Sequence, residues 1–346
     1  YSALWVGSFK LGLPYPVTFD NPQLALWKNF IILPLLFFAA VKIIEDKKQM
    51  MLLVWIMVIT LFLMDVYYYQ NQKWVSHESF SYDKRHMGVS FSYLGPNEFA
   101  AFYAQMTMLF IGLLLTIKKQ LKKIIYLCVI FLNFYCILFL YSRGAYVAVV
   151  VGLIFYGIIK KRMILVILIA LFFSWHYMLP NAVVERIEMT ETEKGADKSV
   201  SSRFTLWKQA LQEVIINPLT GVGFGSSQLL GFTTDSSDHE KSRKDIHNGY
   251  LEILLEQGII GLSFILYIFY FGFKRGWLLY RQSEDNFIKG LGLGFVGMVI
   301  ACFVTNFFGD RWSYLNIMGY FWILLGLVVK SNQIIRVKAK NTVLNV

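Results

Sequence analysis

Charge is scarce in this sequence: 16% of its 346 residues are charged and 56% are hydrophobic, far from the balance of a soluble globular chain. The apolar residues gather into blocks of roughly 17–22, the length a helix needs to cross about 30 Å of hydrocarbon. Backbone in lipid must satisfy its own hydrogen bonds, so such blocks are helices or a closed barrel. They lack period-2 alternation, which excludes the barrel. Cysteine is sparse too. Cys128, Cys136 and Cys302 all fall inside apolar blocks, an odd count without paired spacing, so neither a disulfide framework nor a zinc site is expected. Walker A and Rossmann glycine motifs are absent as well. Any phosphate chemistry must then rest on arginines, with no cofactor.

The expected fold is all-α, a polytopic transmembrane helical bundle, with residues 1–346 forming a single membrane domain. Nine spans are read near 26–43, 50–69, 98–117, 124–141, 145–159, 163–179, 255–273, 288–307 and 314–329. The net charge of +11 and pI near 9.4 suit nucleic acid at first sight. The basic residues instead form short clusters in alternate connections, such as Lys118/Lys119/Lys122/Lys123 and Lys160/Lys161/Arg162. That is the positive-inside pattern. It argues against nucleic acid and places the C-terminus in the cytoplasm, with residues 70–97 and a large loop at 180–248 outside. Tyr67, Tyr68, Tyr69 and Trp74 suit an aromatic belt on that outer face. The chain opens at Tyr1 with no initiator Met and no signal peptide, so a partial chain is expected, with an odd number of spans ahead of it if the native N-terminus is cytoplasmic.

The long loop carries most of the chemistry. Residues 185–202 are polar and read as a solvated segment. Ser201-Ser202 then reads as the cap of a helix from Arg203 to Ile216, with Phe204, Trp207, Leu211, Val214 and Ile215 on a face lying along the membrane. Arg203 in its first turn would sit where free N–H groups gather and a phosphate is well held; the alternative is a solvent-facing arginine beside lipid. Gly221-Val222-Gly223-Phe224-Gly225 reads as a flexible turn. In Tyr141-Ser142-Arg143-Gly144-Ala145 an arginine sits at a tight outer turn, either functional or snorkelling to headgroups. His247, in His247-Asn248-Gly249-Tyr250, lies where the loop returns to the membrane and can serve as a general base. His77, His86, His176 and His239 have no comparable setting. Asp235, Asp238 and His239 lie in a Ser/Thr-rich stretch that suits a metal poorly. Arg311 reads as a partner of Asp310 or a third phosphate contact.

The ordered set Tyr141-Ser142-Arg143-Gly144-Ala145, Ser202-Arg203 with Trp207, Asn217-Pro218, Gly221–Gly225, His247-Asn248, Leu251-Glu252 and Glu256-Gln257-Gly258 resembles the bacterial O-antigen ligase/polymerase superfamily. Gly95-Pro96-Asn97-Glu98 is similar to a helix-starting segment of that family. The resemblance implies a membrane glycosyltransferase of 10–14 spans, so three further spans would make twelve here. It implies transfer of a glycan from a polyprenyl (undecaprenyl) diphosphate carrier, at the outer face of the cytoplasmic (inner) membrane. The acceptor would be a lipid A core, a second glycan or a protein hydroxyl: a ligase, a polysaccharide polymerase or a protein O-oligosaccharyltransferase. It further implies metal-independent, inverting chemistry, with Arg143 and Arg203 on the diphosphate and His247 as base, the site forming where loop and bundle meet. The competing class is a glycan flippase or transporter. The scarcity of charge within the spans and the lack of an inverted repeat weigh against it.

Overall fold

The computed structural model of the chain describes residues 1–17, 21–87, 89, 94–189, 191–192, 195–196, 198–232 and 246–344. In chain order its helices are α1 (Ser2–Leu11), α2 (Pro22–Ile43), α3 (Lys47–Gln72), α4 (Tyr82–His86), α5 (Pro96–Leu114), α6 (Gln120–Phe139), α7 (Arg143–Ile159), α8 (Met163–Met178), α9 (Asn181–Glu188), α10 (Lys198–Ile216), α11 (Gly249–Gln282), α12 (Asn286–Thr305) and α13 (Leu315–Leu344). A two-residue antiparallel pair, β1 (Glu191–Thr192) and β2 (Gly195–Ala196), precedes α10. The fold is a polytopic helical bundle, and a helix lies on each of the nine expected spans. Six of the helices, α2, α3, α6, α11, α12 and α13, are long and apolar enough to cross a bilayer. Between α8 and α9 the chain bends by 107°. Pro180 has no N–H to give and forces Leu179 into an extended conformation, which ends the helix there.

The chain divides into two compact units. The larger comprises Leu36–Glu188, Phe271–Thr305 and Gly319–Val346. At its centre α5 is buried along nearly its whole length and packs on α6, α7 and α12. Hydrophobicity gives helices in lipid no reason to associate, so small residues that bring backbones close take over. A Cβ on Gly112 would lie 2.2 Å from the Cα of Gly294 in α12. Asp65, seven residues before the end of α3, is fully buried. The Cys136 thiol meets its carboxylate at 3.4 Å, and the Asn133 amide does so at 3.0 Å while accepting from Thr107. Tyr68, expected in an aromatic belt, is buried instead, whereas Tyr67, Tyr69 and Trp74 are exposed. No residue of α8 is buried, as suits a helix that is apolar all round.

The smaller unit comprises Tyr1–Leu35, Met189–Tyr270 and Asn306–Met318. Segment 185–202 is not simply a solvated stretch: the end of α9, the β1–β2 pair and the start of α10 fall within it, and Arg186 is buried. The helix carrying Arg203 begins at Lys198, so Ser201 and Ser202 lie inside it and Arg203 is its sixth residue. The N-terminal N–H groups therefore belong to the turn before Arg203. Phe204, Leu211 and Ile215, from the face expected along the membrane, are exposed, and Trp207 and Val214 pack beside a buried face of Leu206 and Ala210. That face packs on Val222, Phe232, Ile246, Leu251 and Leu255, so burial of apolar surface within the unit sets the helix's orientation.

Glycines 221–225 are a strap rather than a flexible turn. Helix α11 breaks at Gly258, which has φ 63° and ψ −166°. The groups freed by the break need partners. Val222 and Gly223 donate to the carbonyls of Leu255 and Glu256, both at 2.9 Å, while Ile259 and Ile260 donate to Pro218 and Leu219. Such close backbone pairing leaves no room for side chains: a Cβ on Gly258 would fall 2.2 Å from the Leu219 carbonyl oxygen.

Placing a larger side chain at Gly112 should force α5 and α12 apart. Gly112→Leu is expected to lower thermal stability in detergent by roughly 1–3 kcal/mol or more, read as a drop in melting temperature. A native-like melting curve would show that this contact is dispensable.

Candidate functional site

In the smaller unit, Trp207 lies one helical turn after Arg203, on the same face of α10. Its indole nitrogen donates to the carbonyl of Ile246 at 2.8 Å. Ile246 is buried in the α10–α11 core, and His247 follows it directly. Docking of α10 thus ties the Arg203 helix to the residue preceding His247. On the other side of His247, the Asn248 side chain accepts from the N–H groups of Tyr250 and Leu251 at 3.1 and 3.2 Å and caps α11. A Cβ on Gly249 would meet Asn306 Oδ1 at 2.9 Å and the Cα of Asp310 at 3.3 Å, so the chain there is pressed against the 306–310 turn.

Held at both ends, His247 adopts φ 54°, a left-handed conformation that costs a non-glycine residue of order 1–3 kcal/mol and persists only where its surroundings over-determine it. Its side chain is exposed while both flanking segments are packed. The strain presents an imidazole to solvent, as a general base needs. Next to it in sequence, the first turns of α11 carry Glu252 and the buried Glu256. Ser227 bonds both: its hydroxyl donates to Glu252 at 2.9 Å and its N–H to Glu256 at 3.1 Å. These carboxylates hold the end of the glycine strap.

Arg311, expected as a partner for Asp310 or a phosphate contact, is buried at 4% exposure and donates to the Asp310 main-chain oxygen at 3.3 Å. The Asp310 carboxylate accepts from the Trp312 N–H at 2.9 Å and from the Ser313 hydroxyl. Burial pushes its pKa above the usual aspartate value. Asp235, Asp238 and His239 lie outside the described residues.

Arg143 belongs to the larger unit and opens α7, with Ser142 at the N-cap. Before it stands the second non-glycine residue with positive φ, Tyr141 at 51°. Helix α6 ends there, at the position where a helix usually turns left-handed on glycine. Tyr141 is fully buried, and its hydroxyl lies 2.9 Å from His77 Nδ1. His77 also lies against the Phe139 ring, with centroids 3.9 Å apart, a role that nothing in its sequence setting signals. Burial, and then the charge of Lys84, hold this imidazole below its ordinary 6.5. Arg85 and Arg186 reach the same turn, and sequence reasoning singled out neither. Arg85 was only one of several arginines in the sparse outer connections, and Arg186 lay in a stretch read as solvated.

Two outcomes follow from these contacts. A histidine whose pKa is lowered on folding adds stability above pH 6.5 that is lost as the pH falls through the lowered value. The melting temperature should therefore fall between neutral pH and pH 5, and less so in His77→Gln; identical pH profiles would refute this. Trp207→Phe keeps the ring but removes the donor, leaving the buried Ile246 carbonyl short of a partner at a cost of roughly 1–3 kcal/mol. Thermal unfolding measures this, and an unchanged curve would show that the indole bond does not hold Ile246.

Comparison with known proteins meets this geometry over the same stretch. Residues 128–266 match the family model described as O-antigen ligase. A candidate polysaccharide ligase of Rickettsia typhi is 27% identical over 145 residues, covering 40% of this chain and 33% of the relative. The corresponding Rickettsia felis protein is 26% identical over 152 residues, 42% of this chain and 34% of its own. The exopolysaccharide production protein ExoQ of Rhizobium meliloti is 31% identical over 108 residues, 28% of this chain and 25% of the relative. The match thus spans about a third of the Rickettsia relatives' length. Residues 128–266, the family-model match, contain both strained turns and all three residues Arg143, Arg203 and His247. Over that segment the chain is similar to the O-antigen ligase family, and its long apolar helices are those of a multi-pass membrane protein.

Proposed function

We propose that this protein is a glycosyltransferase that moves a glycan from a polyprenyl (undecaprenyl) diphosphate carrier to an acceptor hydroxyl. The Trp207–Ile246 hydrogen bond carries the reading, because it couples the helix of Arg203 to the strained turn of His247. The acceptor hydroxyl attacks the anomeric carbon of the carrier-linked sugar, and His247 takes its proton. The bond from that carbon to the phosphate oxygen breaks, and polyprenyl diphosphate leaves with the electron pair, so the anomeric centre inverts. Arg203 meets the growing charge on the diphosphate, the use to which guanidinium forks are best suited. The resemblance gives Arg143 the same anion, and the reaction as written uses no metal. The basic connections put the C-terminus in the cytoplasm and loop 180–248 on the outer face of the cytoplasmic membrane.

Two acceptor classes have a specific observation behind them. The name of the Rickettsia relatives fits ligation of a finished polysaccharide, such as transfer to a lipid A core. That of ExoQ fits growth of an exopolysaccharide on a second carrier-linked glycan. Protein hydroxyls remain a third acceptor of the same chemistry.

The test is purified protein, a polyprenyl-diphosphate glycan and each acceptor in turn. His247→Ala should lower turnover by roughly 10²–10⁴-fold and leave donor binding intact. Arg203→Ala should weaken donor binding by about tenfold or more, the worth of one charge-assisted hydrogen bond. Full turnover by His247→Ala would remove it as the base. Loss of activity on chelation, restored by a divalent ion, would overturn the metal-free mechanism.

A further inference from the structure

The turn before Arg143 is held from more sides than a helix–helix connection requires. The carbonyl of Leu138 accepts from the Tyr146 hydroxyl at 2.6 Å. That of Leu140 accepts from Arg85 Nε at 3.2 Å, and that of Tyr141 from Arg186 Nε at 3.4 Å. Leu140 and Tyr141 are consecutive, so two guanidinium groups grip neighbouring carbonyls at the left-handed residue itself. Both are buried, at 6% and 5% exposure. A second nitrogen of Arg85 donates to Asn97 Oδ1 at 2.7 Å, in the first turn of α5. Arg186 lies over the rings of Phe80 and Tyr82, at 4.8 and 5.5 Å from their centroids.

Neutral donors would serve a merely structural hairpin at lower cost. Burying a cation is expensive, and these contacts place the guanidinium groups on carbonyls, an amide and ring faces. The two charges also oppose each other: burial first, and then the charge of Arg186, pull Arg85 down to about 10, against the smaller opposite pull of Tyr146, Tyr82 and Glu98. Arg143 stands two residues beyond the gripped Tyr141 carbonyl, at the start of α7. Two buried cations fixed to the backbone keep their positive charge at this turn, and the half-buried Arg143 follows it by two residues.

We propose that Arg85 and Arg186 are positioning residues: by gripping the Leu140 and Tyr141 carbonyls they aim Arg143, and so build an anion site that the diphosphate of the donor enters already formed. This rests on the reading of Arg143 as a diphosphate contact, and it adds two residues that act through it.

A double-mutant cycle on the full chain, with labelled polyprenyl diphosphate as probe, tests the idea. Arg85→Gln and Arg186→Gln are each expected to weaken binding roughly tenfold, and to raise KM for the donor while kcat changes little. In the Arg143→Ala background the same substitutions should weaken it no further, which a general loss of structure would not reproduce. Equal losses in both backgrounds, or none in the native one, overturn the positioning role alone. Native-like binding by Arg143→Ala overturns the reading of Arg143 and the positioning role with it. Should a glutamine variant fail to fold, Arg85→Lys and Arg186→Lys enter the same cycle: the charge stays and the planar fork is lost.

Discussion

Everything distinctive in this structure depends on one constraint: where a helix breaks inside a membrane protein, the exposed backbone must find partners within the protein. The break at Gly258 meets it with strap 218–223, which exchanges hydrogen bonds with both sides of the broken helix. The turn at Tyr141 meets it with side chains, as Tyr146, Arg85 and Arg186 take the carbonyls of Leu138, Leu140 and Tyr141. Near His247 the partners are the Trp207 indole and the Asn248 cap. In each place the chain is tightly held where regular backbone breaks, and at Tyr141 and His247 the break falls on a non-glycine residue with positive φ.

That combination suits chemistry on an anion. A site that must meet a diphosphate gains from groups already in place, since preorganised dipoles and charges need not reorganise as charge develops. Strained backbone is one means of fixing them, provided the surrounding contacts over-determine it. The two non-glycine residues with positive φ among the described residues are Tyr141 and His247, one just before Arg143 and the other the proposed base itself. Glycine would sit in either position at lower cost. Glycine at position 141 would lose the hydroxyl's contact with His77, and glycine at position 247 would lose the imidazole proposed as the base.

Where sequence reading failed, it did so for definite physical reasons. Ser201-Ser202 resembles a helix start, yet the helix runs on from Lys198, because cap residues state a local preference that neighbouring residues can override. The exposed Phe204 and Ile215 and the buried Leu206 and Ala210 lie on different sides of α10, and the apolar spacing that marks one side does not show that a second side is buried in protein. Glycines 221–225 looked permissive. What they permit is backbone contact, which becomes visible only when the opposing chain is in place. His77 and Arg186 join the Tyr141 turn from segments far away in sequence, so no local motif announces them.

The sequence by itself determined the helical bundle and its apolar segments, and it singled out the three residues on which the proposed function turns. It could do so because lipid imposes length and apolarity on each segment separately, and because a family's motifs survive as ordered residue types. Tertiary structure alone decided which carbonyls the buried arginines grip, which glycines stand against backbone, and that the arginine and histidine of the long loop are linked through Trp207. Those are pairings between residues distant along the chain, set by packing and by the need of each buried polar group for a partner.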